Sequence, residues 1–191
     1  MILNFQEDIE QCIIALRNGG IILYPTDTIW GIGCDATNPD AIQRIFALKK
    51  RSDEKSMIVL VSDERDILKY TSGPDLRIFD FLKSVQKPTT IIYEGAIGVA
   101  ANLIHNDGTV ALRLVKEAFC KNLIKRFRKP VVSTSANISG QPSPKFFSEI
   151  SQDIKNKVDY IVRYRQDDKT PRQPSSIIKW NNDGTTTLVR P

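Results

Sequence analysis

Between Tyr24 and Arg51 the chain reads YPTDTIWGIGCDATNPDAIQRIFALKKR, and this stretch restricts the fold more than any other. Ile21, Ile22, Leu23 and Tyr24 are a run of bulky residues bounded by Gly19 and Gly20 before and Pro25 after, which predicts a short strand. Thr26, Asp27 and Thr28 then place two hydroxyls and a carboxylate at the strand end. Gly31 and Gly33 predict a turn in which backbone can come close to whatever sits there. Asn38 followed by Pro39 starts a helix with Ile42, Ile45 and Phe46 on its buried side, and Lys49, Lys50 and Arg51 close it. A plain strand-to-helix connection reads the same way in isolation, so the rest of the chain has to decide.

The remainder continues the alternation. Asn4 to Gly20 predicts a first helix, with Asn4 as N-cap, Glu7 in the capping-box position and Ile9, Cys12, Ile13 and Leu16 at helical spacing. Met57 to Val61 is continuous in apolar residues, as suits a central strand covered on both faces. Ser62 and Asp63 cap a short helix carrying Ile67 and Leu68, and Leu76, Phe79 and Leu82 mark another. Thr89–Tyr93 and Thr109–Leu114 read as strands, Glu117–Phe127 as a helix, and Pro130–Ser133 as a strand end. Tyr160–Arg163, Ser176–Trp180 and Thr186–Val189 complete the strands. Between the first two of these lies RQDDKTPRQP, charged and proline-broken, which predicts a mobile surface loop. Strands and helices interleave without strict βαβ regularity, so the expected fold class is α/β, a mixed twisted sheet with helices packed on it.

A chain of 191 residues that is 41% apolar can bury the core of one domain spanning 1–191. No apolar run approaches a membrane span and the first residues are too acidic for a signal peptide, so a cytoplasmic protein with no membrane partner is expected. Cys12, Cys34 and Cys120 are odd in number and form no CxxC pair, which speaks against a disulfide framework or a zinc knot. The one histidine, His105, lies in a polar stretch and supports neither a histidine triad nor a metal cluster. A formal charge of +5 favours anionic partners, nucleotide phosphates and RNA alike.

Three constellations could carry chemistry. Lys49, Arg51 and Lys55 in KKRSDEK either complement a helix C-terminus, worth about 0.3–1 kcal/mol, or clamp a polyphosphate. Ser133, Thr134, Ser135, Asn137 and Ser139 deliver hydrogen-bonding side chains at a strand end before Gly140, an arrangement that caps a turn or wraps an anion. Arg113 interrupts the apolar strand TVALRL, with Thr109 at its other end; it is either a solvent-facing residue or a two-pronged donor for a carboxylate or phosphate. There is no GxxxxGK[ST] loop and no GxGxxG after a strand, so a nucleotide would bind by another route.

At these clusters the sequence resembles the YrdC/Sua5 family, the threonylcarbamoyl-AMP synthases. The matching pieces are YPTDTIWGIGCDA, the KxR of Lys49 and Arg51, TVALRL, STSANISGQPSP, SSII and the closing LVRP, in family order from about Gly20 to Pro191. The resemblance is to the short, single-domain form. It implies a twisted mixed sheet with helices around a large positively charged cavity, and the conversion of L-threonine, bicarbonate and ATP to threonylcarbamoyl-AMP and pyrophosphate, for tRNA modification by downstream proteins. Carried over, Thr26 and Arg113 hold threonine, with Ser133 and Ser175 nearby. Lys49, Arg51, Lys55, Thr109, Ser135, Asn137, Ser143 and Arg190 line the ATP site, with Lys49, Arg51, Ser135 and Asn137 as the catalytic set. ATP is then a substrate, with Mg2+ as partner of the pyrophosphate.

The chain departs from the family where Gln86-Lys87-Pro88 replaces Pro-Gly-Pro, where Leu60 replaces a histidine found in some members, and where SSIIKW lacks the acidic strand ending. Two other readings stay open. One is a YciO-type paralogue of altered activity; the other is a non-catalytic tRNA or double-stranded RNA-binding module, for which Trp30 and Trp180 are too isolated to form a base-stacking surface.

Overall fold

A computed structural model describes residues 5–50, 57–181 and 183–191. Gln6–Arg17 forms α1 and packs beside α5 (Ala118–Phe127); Ile9, Cys12 and Leu16 of the first and Phe119, Leu123 and Phe127 of the second are buried in the same core. Each such side chain contributes about 1.5–3 kcal/mol by leaving water. The expected cap Asn4 lies outside the described residues; Phe5 occupies the N-cap position without a side-chain cap. Glu7 turns outward to Arg163, 2.7 Å away.

Ile22–Tyr24 is β1, the strand read from its apolar run. The glycine-spaced stretch after it is more than a turn: Gly31–Gly33 forms β2, antiparallel to β1, with Tyr24 opposite Gly31 and Ile22 opposite Gly33. Glycine is required here sterically. A Cβ on Gly33 would stand 2.2 Å from the Val132 carbonyl and 2.7 Å from the Tyr24 ring, whose hydroxyl donates to that same carbonyl at 2.9 Å. α2 (Pro39–Lys49) follows, with the Asn38 side chain accepting from Asp40 and Ala41 N–H as its cap, and Lys50 closes it in the left-handed conformation.

Ile58–Val61 is β3. Asp63 and Asp66 form a reciprocal cap on a short turn leading into α3 (Ile67–Tyr70), and α4 (Arg77–Ser84) precedes β4 (Thr89–Tyr93). The 94–108 segment contributes one 3-10 turn, Ala101–Leu103, before β5 (Val110–Leu114). After α5 come β6 (Val131–Ser135), α6 (Gln152–Lys155), β7 (Tyr160–Ile161), β8 (Ser176–Trp180) and β9 (Thr186–Arg190). β7 is shorter than its sequence run, because the backbone N–H groups of Arg163 and Tyr164 turn to the buried Asp8 carboxylate at 3.0 and 2.9 Å instead of continuing a ladder.

Among the described residues the nine strands lie in the order β7-β1-β2-β6-β3-β5-β4-β8-β9. The sheet is mixed: β1–β7, β3–β5 and β4–β8 are parallel, and the other pairs are antiparallel. β3 therefore sits at its centre, as an uninterrupted apolar strand should. Its register fixes one face of the site, since Ile58 stands opposite both Ser133 and Ala111 and Leu60 opposite Arg113. Ser135 continues that face to Gly31, and Ile177 to Arg190.

Candidate active site

On this face, where β3 begins and β6 ends, a cavity of about 170 Å³ opens between the turn at Thr28–Gly31 and the strand end at Pro174–Ser175. Its described lining carries six hydroxyl side chains and two guanidiniums, Arg113 and Arg190, and no carboxylate. Ser133, Ser135, Ser143 and Ser175 all line it, together with Thr28, a hydroxyl noted at the end of the first strand but not assigned to the ligand set. The volume suits an amino-acid-sized ligand. Trp30, Ile58 and Ile177 supply apolar wall, which leaves the polar groups to set a ligand's orientation.

Arg113 is 3% exposed and its Nη2 lies 3.0 Å from Asp27 Oδ1, an ion pair by distance. The two groups are out of line for a hydrogen bond: Asp27 Oδ1 and Arg113 Nε and Nη2 have no hydrogen-bond partner among the described residues. The Coulomb attraction survives misalignment, whereas the hydrogen bonds do not form. Buried donors left this way cost about 1–3 kcal/mol each. The arrangement balances a buried guanidinium in charge and leaves two of its N–H-bearing nitrogens without a hydrogen-bond partner among the described residues.

Arg190 stands close enough to feel this charge. Burial, and after it the Arg113 guanidinium, lower its pKa from the ordinary arginine value. Arg190 is anchored by donating from Nη2 to the Ser175 carbonyl at 2.7 Å, and the Ser175 hydroxyl hydrogen-bonds Thr90 Oγ1 at 2.8 Å. The cavity lining thus holds two guanidiniums and no carboxylate, with Asp27 behind Arg113.

Thr26 is placed differently from Thr28. It is 1% exposed, and its hydroxyl donates to the Ile29 carbonyl at 2.8 Å and accepts from Thr28 N–H at 3.0 Å, with Thr28 Oγ1 at 2.9 Å. Thr26 thus braces the turn, and Thr28 is the hydroxyl at the cavity. Two hydroxyl residues two positions apart read alike in the sequence, and no local signal separates them.

At the other end, Lys49 is 1% exposed, and its ammonium donates to the carbonyls of Ser135 and, at 2.6 Å, Asn137. The Lys49 carbonyl in turn accepts from Ser139 N–H at 2.9 Å. The cation at the end of α2 and the hydroxyl-rich end of β6 therefore do converge, through the backbone of the second. Asn137 donates to the carbonyls of Ile138 and Gln141, its Oδ1 has no partner among the described residues, and it does not line the cavity. Thr109 is also remote from the lining. Its hydroxyl donates to Asp107 at 2.7 Å and closes a turn before β5. Arg51 and Lys55 lie outside the described residues.

Among the described residues no group of three or more His, Cys, Asp or Glu could hold a metal ion. With two guanidiniums and no carboxylate, the cavity lining does not fit a protein-held magnesium. No described helix is long and apolar enough to cross a membrane.

Threonylcarbamoyl-AMP synthase of Pseudoalteromonas translucida is 32% identical over 175 residues, which cover 90% of this chain and 92% of that protein. The protein of the same name from Coxiella burnetii is 29% identical over 163 residues, 83% of this chain and 86% of its own. Among solved structures, Sua5 of P. abyssi complexed with L-threonine aligns with a TM-score of 0.85 at 23% identity, over 97% of this chain and 54% of that one, so the chain spans about half of that Sua5 protein. YciO of E. coli gives a TM-score of 0.84 at 24% identity, covering 97% and 89%. At these identities the two structures show the fold. A family model for Sua5, YciO and YrdC proteins, described as "Telomere recombination", matches residues 14–191, and the chain belongs to that family.

Proposed function

We propose that this protein is an ATP-dependent L-threonylcarbamoyladenylate synthase, and that its cavity is the threonine end of the site. The observation that carries this reading is Arg113, a buried guanidinium whose Nε and Nη2 lack hydrogen-bond partners among the described residues and which lines a cavity rich in hydroxyls. The relatives named threonylcarbamoyl-AMP synthase, and the L-threonine of the Sua5 complex, supply the ligand that suits it. The threonine carboxylate takes the Arg113 fork, and Thr28, Ser133 and Ser175 surround the rest of the amino acid.

The chemistry needs no conventional base. The threonine amine adds to bicarbonate with loss of water to give a carbamate; a carbamate oxygen then attacks the α-phosphorus of ATP, the new O–P bond forms, and pyrophosphate leaves. The protein's part is orientation and charge compensation. Ser135 and Ser143 receive the nucleotide side, and Arg190 faces the anions that meet between the two ends. Lys49 holds the Ser135–Asn137 backbone in place and adds a fixed positive charge behind it. Arg51, Lys55, Thr109 and Asn137 complete the nucleotide set by resemblance. The product serves tRNA modification.

The test is pyrophosphate release by the purified protein with L-threonine, bicarbonate and ATP. Release that requires all three is expected. Release that persists without threonine identifies a different ATPase and removes this reading.

A further inference from the structure

The connection from Val162 to Ser175 joins β7, at one edge of the sheet, to β8, the neighbour of the opposite edge strand. It has to cross the width of the sheet. Its end, Pro174 and Ser175, lines the cavity, and its Arg165 and Arg172 line an adjoining small hollow together with Thr28, Ile29 and Trp30, residues that also line the cavity. The stretch expected to be a mobile surface loop is largely exposed, and Arg165 and Lys169 tie it to residues outside it.

The fastening centres on Arg165. This non-glycine residue sits at φ +66°, a left-handed conformation that costs about 1–2 kcal/mol and persists only where contacts hold it. Its side chain is 14% exposed; Nη1 donates to the Thr26 carbonyl at 3.0 Å and Nε to Asp168 Oδ2 at 3.1 Å. Asp168 also accepts from Arg172 Nη2 at 2.8 Å and from Thr170 N–H at 2.9 Å. These bonds, that of Arg172 first, hold its carboxyl well below the usual carboxylate range. Lys169 reaches Ser148 at 3.1 Å and tethers the far side. No other hydrogen bond to the Thr26 carbonyl exists among the described residues. The chain of contact therefore runs from Asp168 through Arg165 to the Thr26 carbonyl, and from the Thr26 hydroxyl to Thr28 at the cavity.

We propose that Arg165, held by Asp168, is a positioning residue for the threonine side of the cavity, fixing the turn that presents Thr28. This rests on the reading of the cavity as the threonine site. An exposed ion pair would contribute little, but here a mostly buried cation supplies the partner of a turn carbonyl next to the ligand.

The test compares Arg165→Ala, Arg165→Lys and Asp168→Asn in the full chain, with two readouts. Without ligand, hydrogen exchange in the 26–30 turn is expected to rise about tenfold in Arg165→Ala and less in Asp168→Asn, with β3 and β5 unchanged. In steady state, KM for L-threonine should rise about tenfold in Arg165→Ala while kcat and KM for ATP stay within about twofold, and Arg165→Lys, which restores one donor, should recover most of it. Unchanged exchange in the turn overturns the proposal, and so does faster exchange with wild-type KM for threonine, which assigns Arg165 to stability alone. A wild-type protein indifferent to L-threonine would instead remove the functional reading, while the exchange comparison would still decide whether Arg165 holds the turn.

Discussion

The two ends of the site treat their cations in opposite ways. At the Arg113 end a buried guanidinium is balanced by Asp27 in charge but left short of hydrogen bonds. At the Lys49 end a buried ammonium gives two donors to carbonyls of β6 and the residues after it. An ammonium has three donors in all. The first cation leaves two nitrogens without a hydrogen-bond partner among the described residues, and the second is built into the wall. A basic residue near a site is thus not automatically a binding group; what its donors already touch decides.

The largest effect that could break this comparison belongs to Arg113→Lys. It keeps the charge beside Asp27 and removes the two-pronged donor, so kcat/KM for L-threonine should fall about 100-fold with the thermal midpoint nearly unchanged; a near-wild-type rate would show that no carboxylate sits on the fork. Lys49→Met comes next. It keeps the stem and strands two carbonyls, so unfolding by denaturant should show a loss of about 2–4 kcal/mol. Lost turnover at unchanged stability would instead assign the ammonium to the nucleotide.

A finer contrast uses hydroxyls from the two ends. Thr28→Val should raise KM for L-threonine about three- to tenfold and leave that for ATP alone, while Ser135→Ala should do the reverse. Equal shifts in both constants would merge the two compartments into one. The smallest effect is a control away from both. Burial, and then the Asp8 hydrogen bond, raise Tyr160 from 10.0 to about 12. A raised folded pKa gives stability that is complete below the unfolded value of 10 and lost as pH climbs toward 12. The stability difference between wild type and Tyr160→Phe should shrink across that alkaline window, and a flat difference would mean the hydroxyl titrates freely.

Local patterns carried much of this into view. The apolar runs at Ile22–Tyr24 and Ile58–Val61 became strands because uninterrupted bulky residues are stable only when both faces are covered, and Val110–Leu114 did so with Arg113 set into it. Asn38 capped α2 as its Asn-Pro pair foretold. Arg113, Ser133 and Ser135, read from the residues themselves, and Ser143, Ser175 and Arg190, named only through the family resemblance, line one cavity. Three features were not legible. β2 hides in GIG, since two glycines read as a turn until the Tyr24 ring is seen lying where a side chain would be. Thr28 rather than Thr26 faces the cavity, a matter of which way one turn rolls. The 165–174 segment looked loose because its partners, the Thr26 carbonyl and Ser148, are remote in sequence.

By itself the sequence determined the elements and their polarity: where strands must be buried, where helices start, and which segments end in hydroxyls or cations. Those follow from forces between neighbours along the chain. Only the tertiary structure decided which donors remain for a ligand, because Arg113 and Asp27, or Lys49 and the carbonyl of Ser135, are brought together by strand register across the sheet. Hydrogen-bond saturation is a property of that convergence, and no local pattern encodes it.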